Sequence, residues 1–159
     1  MTERSIDSKI SAFVERLARL DAGGLARLKR NAGRSLAESR DALGLFYSVL
    51  PSGVPQRQED TYFLLATLYP LADGGGQGDL GEALRRARTV QNGKGLDRRV
   101  KILLDADEKQ MAFRLRQAIH FLQSSRVRVN WARLLEDLLR WTHPDRFVQR
   151  KWARSYFAE

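Results

Sequence analysis

No cysteine occurs among the 159 residues. Disulfides, thiolate metal sites and cysteine nucleophiles are excluded together, and the absence fits a reducing compartment. Histidine is scarce as well: His120 and His143 are the only two, which leaves an imidazole-based zinc site few ligands. Long hydrophobic runs are also missing. The longest, Tyr62 to Ala72, has 11 residues and contains Pro70, too short to cross a hydrocarbon layer of about 30 Å. The opening MTERSIDSKI has charges but no apolar segment behind them, so no signal peptide is expected. Together these absences point to a cytoplasmic protein with no membrane partner, no metal and no cofactor. What is present is a globular balance, 43% hydrophobic and 30% charged residues, in a chain long enough to bury a core without staples.

Negative charge is the other shortage, and it is local. Lys and Arg total 28 against 19 Asp and Glu, a net charge of +9. Residues 1–79 hold 10 basic and 10 acidic side chains, whereas residues 80–159 hold 18 and 9. The whole excess therefore lies in the second half. Arginine supplies 22 of the 28 bases, and its planar fork suits bidentate phosphate contacts better than a lysine point charge does. A basic, arginine-biased half favours a polyanionic partner.

Apolar periodicity is helical nearly throughout. Ile6, Ile10, Phe13, Val14 and Leu17 define a first helix, and Gly23 and Gly24 are expected to stop it. A short basic segment, Leu25 to Asn31, follows. SLAE then supplies a capping box, Ser35 with Glu38, for a helix expected to run to Pro51. A helix over Tyr62–Tyr69 leads into the glycines. Further helices are expected over Leu80–Arg88, over Leu96–Leu104 beyond the QNGKG loop, and along the stripe Met111, Leu115, Ala118, Ile119, Leu122. Phe113 and His120 on the opposite side of that stripe suggest cover on two faces. Asn130 is a cap for Trp131–Trp141, and Pro144 is expected to open a last helix to about Phe157. Only VRV at 127–129 hints at strand. The class is all-α: two helical bundles, 1–72 and 80–159, joined by a Gly-rich linker at 73–79.

Gly76, Gly78 and Gly81 have the spacing G-x-G-x-x-G. A dinucleotide loop needs a strand before it and a helix whose N-terminus faces the phosphate. Here the preceding EDTYFLLATLYPLA has helical length and a proline near its end, so the context fails. NGKG is no P-loop either: it lacks the glycine five residues upstream and has Gly95 where Ser or Thr should hold magnesium. The glycines read as a linker, with Asp79 and Glu82 as an ordinary helix start.

His143-Pro144-Asp145 is the tripeptide of J-domain co-chaperones. However, Arg133 with Asp137 and Glu136 with Arg140 are spaced for ion pairs within the preceding helix rather than for a basic docking face. DADE at 105–108 complements the dipole of the helix it precedes. His120 has no triad partner at a useful spacing. No catalytic constellation is found, and a non-enzymatic protein is expected.

A basic run is usually a solvated face, yet several groups here stand apart from acids. Arg85, Arg86 and Arg88 flank one glycine loop, while Lys94, Arg98, Arg99 and Lys101 flank the next. Arg126 and Arg128 sit in SSRVRVN, and Arg146, Arg150 and Arg154 recur every four residues without an acid on that stripe. These favour nucleic-acid backbone binding, read by phosphate and shape rather than by base. A helical adaptor whose basic face meets an acidic protein remains the alternative, and a J-like co-chaperone a third.

The order LGEALRRAR, LDRRVKILLDAD, FRLRQAIHFL, VNWARLLEDLLRW, preceded by LARLKR and LGLFYSVLP, resembles the CasB family, the small subunit of the type I-E CRISPR Cascade complex. The likeness covers about residues 24–157 and is best from 80 to 141. It implies an all-helical, non-catalytic subunit, present in two copies beside the backbone and large Cascade subunits, that supports guide RNA and target DNA and holds the displaced strand of the R-loop. The family's basic surface carries over onto Lys29, Arg30, Arg98, Arg99 and Arg116. Arg126 and Arg128 fall where the family varies in length and Arg114 matches no basic position of it, so their roles rest on charge alone. The glycine linker departs from the family pattern.

Overall fold

The computed structural model describes the backbone of residues 2–91 and 94–158, with side chains from residue 8 onward except that of Lys94. Among the described residues there are nine α-helices: α1 Thr2–Ala18, α2 Ala22–Arg30, α3 Leu43–Val49, α4 Glu59–Leu68, α5 Leu80–Val90, α6 Lys94–Leu104, α7 Glu108–Ser124, α8 Trp131–Leu139 and α9 Phe147–Phe157. No strand occurs among them, as the periodicity implies. The side chains of Ile6 and Lys94, and Asn92 and Gly93 of the QNGKG loop, lie outside the described residues.

Local chemistry moves several helix boundaries from their expected places. Gly23 and Gly24 do not end α1. They form the first turn of α2, because Asp21 caps that helix by accepting the Gly24 N–H at 2.7 Å. The Ser35–Glu38 capping box is present but opens only a 3₁₀ turn, Leu36–Glu38. The expected long helix to Pro51 breaks there because the buried Asn31 side chain takes the backbone of Arg40, accepting its N–H at 2.7 Å and donating to its carbonyl at 2.8 Å. Asp41 follows at φ 59°, so α3 starts afresh at Leu43. Pro144 lies in a turn, and α9 begins only at Phe147, after Arg146 at φ 52°. The Asn130 cap is formed, Asp79 caps the helix it is expected to start, and within DADE it is Asp107 that caps α7.

Two aromatic clusters anchor the core. Phe13, Phe46, Tyr62 and Phe63 meet edge-on, with Phe13 and Tyr62 centroids 5.0 Å apart and Phe46 and Phe63 5.3 Å apart. Trp141 and Trp152 pack at 5.0 Å between the segment after α8 and α9. By sequence α8 belongs to the second half, yet it packs against α1 and α4. Its stripe of Trp131, Leu134, Leu135 and Leu138 is buried there, each leucine contributing about 2 kcal/mol by removal from water. The apolar residues of both halves join in one continuous cluster.

The glycine stretch is tied down. Val129 donates its N–H to the Asp73 carbonyl at 2.9 Å and accepts from the Gly76 N–H at 3.2 Å, so the strand hint at 127–129 reduces to one parallel bridge, Gly74 with Val129. A Cβ on Gly76 would collide with the Arg128 carbonyl, and one on Gly81 with the Trp152 carbonyl where α5 crosses α9. Close backbone approach therefore accounts for both ends of the G-x-G-x-x-G spacing. A helix and a 3₁₀ turn precede it, not a strand.

Candidate nucleic-acid interface

The arginines of α5 are engaged within the protein. Arg85 donates to the Ala158 carbonyl. Arg86 donates to the Gln77 carbonyl at 3.1 Å and stands 3.8 Å from Glu82, one turn earlier. Arg88 lies 3.3 Å from Asp97 of α6, with its guanidinium 5.8 Å from the centroid of the Tyr156 ring. The same Asp97 oxygen accepts the Tyr156 hydroxyl at 2.5 Å. Burial, reinforced by the neighbouring Asp97, drives the Tyr156 pKa well above the usual tyrosine range. Arg133 with Asp137 at 3.5 Å and Arg140 with Glu136 at 3.8 Å form the pairs within α8 that their spacing suggests. Arg146 also has a partner. It donates to the Leu104 carbonyl at 2.7 Å and lies 3.5 Å from Asp105, a turn no periodicity could bring to it.

On α6 and α7 the pattern reverses. Arg98, Arg99 and Lys101 are exposed, and among the described residues none has a carboxylate within 4.0 Å. Lys101 rests 6.0 Å from the Phe157 ring centroid. Arg99 lines a groove together with Arg114 and Gln117 of α7 and the apolar Leu84, Val100 and Phe121. Arg116 leaves α7 in another direction: a Cβ on Gly33 would stand 3.8 Å from its guanidinium, next to the end of α2 that carries Lys29 and Arg30. Those two are exposed and complement the dipole of their helix terminus. The Asn31 bonds to Arg40 fix that terminus in place.

Arg126 and Arg128 follow α7 directly. Arg126 has φ 58°. It donates its N–H to the Gln123 carbonyl at 3.0 Å, and Val127 donates to the Leu122 carbonyl at 2.9 Å, the Schellman pattern that normally takes glycine at this position. Arginine held there costs roughly 1–2 kcal/mol, so the charge is kept at the expense of stability. Arg128 extends over the glycine stretch: a Cβ on Gly75 would stand 3.3 Å from its guanidinium. No carboxylate lies within 4.0 Å of either arginine among the described residues.

The structure thus places Arg99 and Arg114 along one groove, Arg116 at the end of α2 and Arg128 over the glycine stretch, and it engages Arg86 and Arg88 in ion pairs. Arg114 stands out only by position, but a simple signal marks its region: no acid occurs between Glu108 and Glu136. Phe113, expected to be covered, is 57% exposed, and His120 on the same face is exposed too. Among the described residues no group of three His, Asp or Glu side chains is placed to hold a metal, and no helix is long and apolar enough to cross a membrane.

Comparison with known proteins agrees with this architecture. The family model of CRISPR-associated protein Cse2 matches residues 24–157. A CRISPR-associated protein Cse2 of Thermus thermophilus is 42% identical over 104 residues, which span 64% of this chain and 59% of the relative. The chain thus aligns with less than two thirds of that relative's length. The crystal structure of CasB from Thermus thermophilus superposes with a TM-score of 0.79 at 32% identity, covering 96% of this chain and 98% of that one. A chain of a CRISPR RNA-guided surveillance complex has the same fold, with a TM-score of 0.79 at 23% identity over 95% of this chain and 92% of that one. With most of its length inside the family model and its helices laid out as in CasB, the chain belongs to the CRISPR-associated Cse2 family.

Proposed function

We propose that this chain is the small, non-catalytic subunit of a type I-E CRISPR Cascade surveillance complex. In this role it supports guide RNA and target DNA and steadies the displaced strand of the R-loop. Its partners are the backbone and large Cascade subunits and a second copy of itself. The observation that carries the reading is the separation of charge. Arg98, Arg99, Arg116, Arg126 and Arg128 lack carboxylate neighbours among the described residues, while Arg86 and Arg88 on α5 have them. Exchange of a DNA duplex for a guide–target heteroduplex is nearly balanced in energy, so a few backbone contacts from protein tip it. Lys29 and Arg30, with Arg116 beside their turn, and Lys101 on α6 extend the same surface, and Lys94 joins them by sequence position.

Co-purification tests the proposal. Tagged protein recovered from its host brings guide RNA and further Cascade subunits with it, and the Arg98→Ala/Arg99→Ala variant still assembles but forms R-loops more slowly. Recovery free of RNA and of those subunits contradicts the proposal and favours an adaptor for an acidic protein.

A further inference from the structure

The exposed face of α7 carries an aromatic ring among cations. Phe113 is 57% exposed, and the Arg114 guanidinium lies over its ring, 5.2 Å from the centroid. A helix advances about 100° per residue. Seen down the axis from Phe113, Gln117 and His120 therefore fall within about 40° of it, Arg114 lies about 100° to one side and Arg116 about 60° to the other. Phe113, Gln117 and His120 form an exposed central ridge. One bank is Arg114, which lines one groove together with Arg99. The other is Arg116, beside the Gly33 turn. No acid occurs from residue 109 to residue 135, so nothing along this stretch repels a polyanion.

An exposed phenylalanine flanked by guanidinium groups that lack carboxylate partners matches the two needs of an unpaired nucleic-acid strand, stacking for a base and positive charge for the phosphates on either side. A duplex would bring only its phosphates, because its bases are already stacked on one another. We infer that α7 is a single-strand site: one unpaired nucleobase stacks on Phe113, and the adjoining phosphates are held by Arg99 and Arg114 on one bank and Arg116 on the other. The inference rests on the nucleic-acid reading above and adds to it a residue that recognises strandedness.

The test uses the full chain and two probes of equal length, a thymidine oligonucleotide and a mixed-sequence duplex, with binding followed by fluorescence anisotropy. Phe113→Ala is expected to weaken binding of the single strand by roughly 5- to 150-fold, the range for removal of one base stack. Duplex affinity and the salt dependence for either probe stay unchanged. Phe113→Trp restores the loss and Phe113→Leu does not. A thymidine strand with abasic residues binds the wild type and Phe113→Ala alike. Equal weakening toward both probes, rescue by leucine, or no change at all overturns the stacking site. If single-strand affinity holds while self-association measured by sedimentation falls, Phe113 is a protein contact and the inference fails. A wild-type protein that binds neither probe overturns the nucleic-acid reading itself. Binding that responds to arginine removal but not to Phe113 overturns only the inference.

Discussion

Arg86 and Arg98 stand on consecutive helices of the same basic half, yet their surroundings differ. Arg86 has Glu82 one turn before it and the Gln77 carbonyl at hand, and its neighbour Arg88 meets Asp97 and the ring of Tyr156. Arg98 and Arg99 face outward with no acid in reach among the described residues. Net charge counts the two sets alike. A phosphate does not, because a guanidinium already paired with a carboxylate must break that pair before it offers its full charge. Arg88 ties α5 to α6 and Arg85 ties it to the end of α9, whereas Arg98 and Arg99 have no such tie among the described residues.

The severest way to break the contrast is to push α5 off α9. Gly81→Val forces a branched side chain into the Trp152 carbonyl, which is expected to cost about 3 kcal/mol and to separate Arg85 from Ala158. Thermal denaturation measures the loss. Removing the acid of a buried pair comes next. Asp137 accepts the Trp152 indole N–H at 2.8 Å and lies against Arg133, so Asp137→Ala strands both donors at about 2–3 kcal/mol. Burial raises the Asp137 pKa above the usual 3.8, while Trp152 and Arg133 oppose that rise. The folded state thus holds this proton more tightly than the unfolded chain. The stability it contributes is fully present below the ordinary aspartate range and is lost as pH rises through the raised value. Urea melts of wild type fall across that window relative to Asp137→Asn, and parallel curves would contradict the shift.

Arg126→Gly sharpens the contrast from the other side. Relief of the left-handed arginine raises stability by about 1 kcal/mol, and loss of the charge weakens nucleic-acid binding, so the two properties move in opposite directions. A binding titration beside a melting curve checks both. The smallest effect belongs to α5: Arg86→Ala changes stability by less than about 1 kcal/mol, as exposed pairs do.

How much of this was legible in the sequence depended on the range of the interaction responsible. Helix α8 was readable apart from its end, expected at Trp141 and found at Leu139, because its stripe, its Asn130 cap and its ion pairs each link residues no more than four apart. The concentration of charge in the second half was equally plain. The break before α3 was not, since it depends on Asn31 reaching the backbone of Arg40. Nor was the fate of the α5 arginines. Glu82 lies on their own helix, but Asp97, Tyr156 and Ala158 arrive only when α6 and α9 pack against it. The glycine spacing reads as a linker, and what the sequence did not show is that Gly76 and Gly81 each lie against another segment's backbone. Exposure of Phe113 was hidden for a related reason: a lone aromatic opposite an apolar stripe reads as a second buried face until the neighbouring helices are placed.

The most direct measurement compares the salt dependence of nucleic-acid binding for two charge-matched variants, Arg98→Ala/Arg99→Ala and Arg86→Ala/Arg88→Ala. Each phosphate that is no longer neutralised lowers the slope of log K against log salt by about 0.7 to 0.9. The first variant should therefore flatten the slope by about 1.4 to 1.8 while the second leaves it near that of the wild type. Equal slopes for the two variants would show that phosphates do not distinguish the free arginines from the paired ones, and would contradict the account.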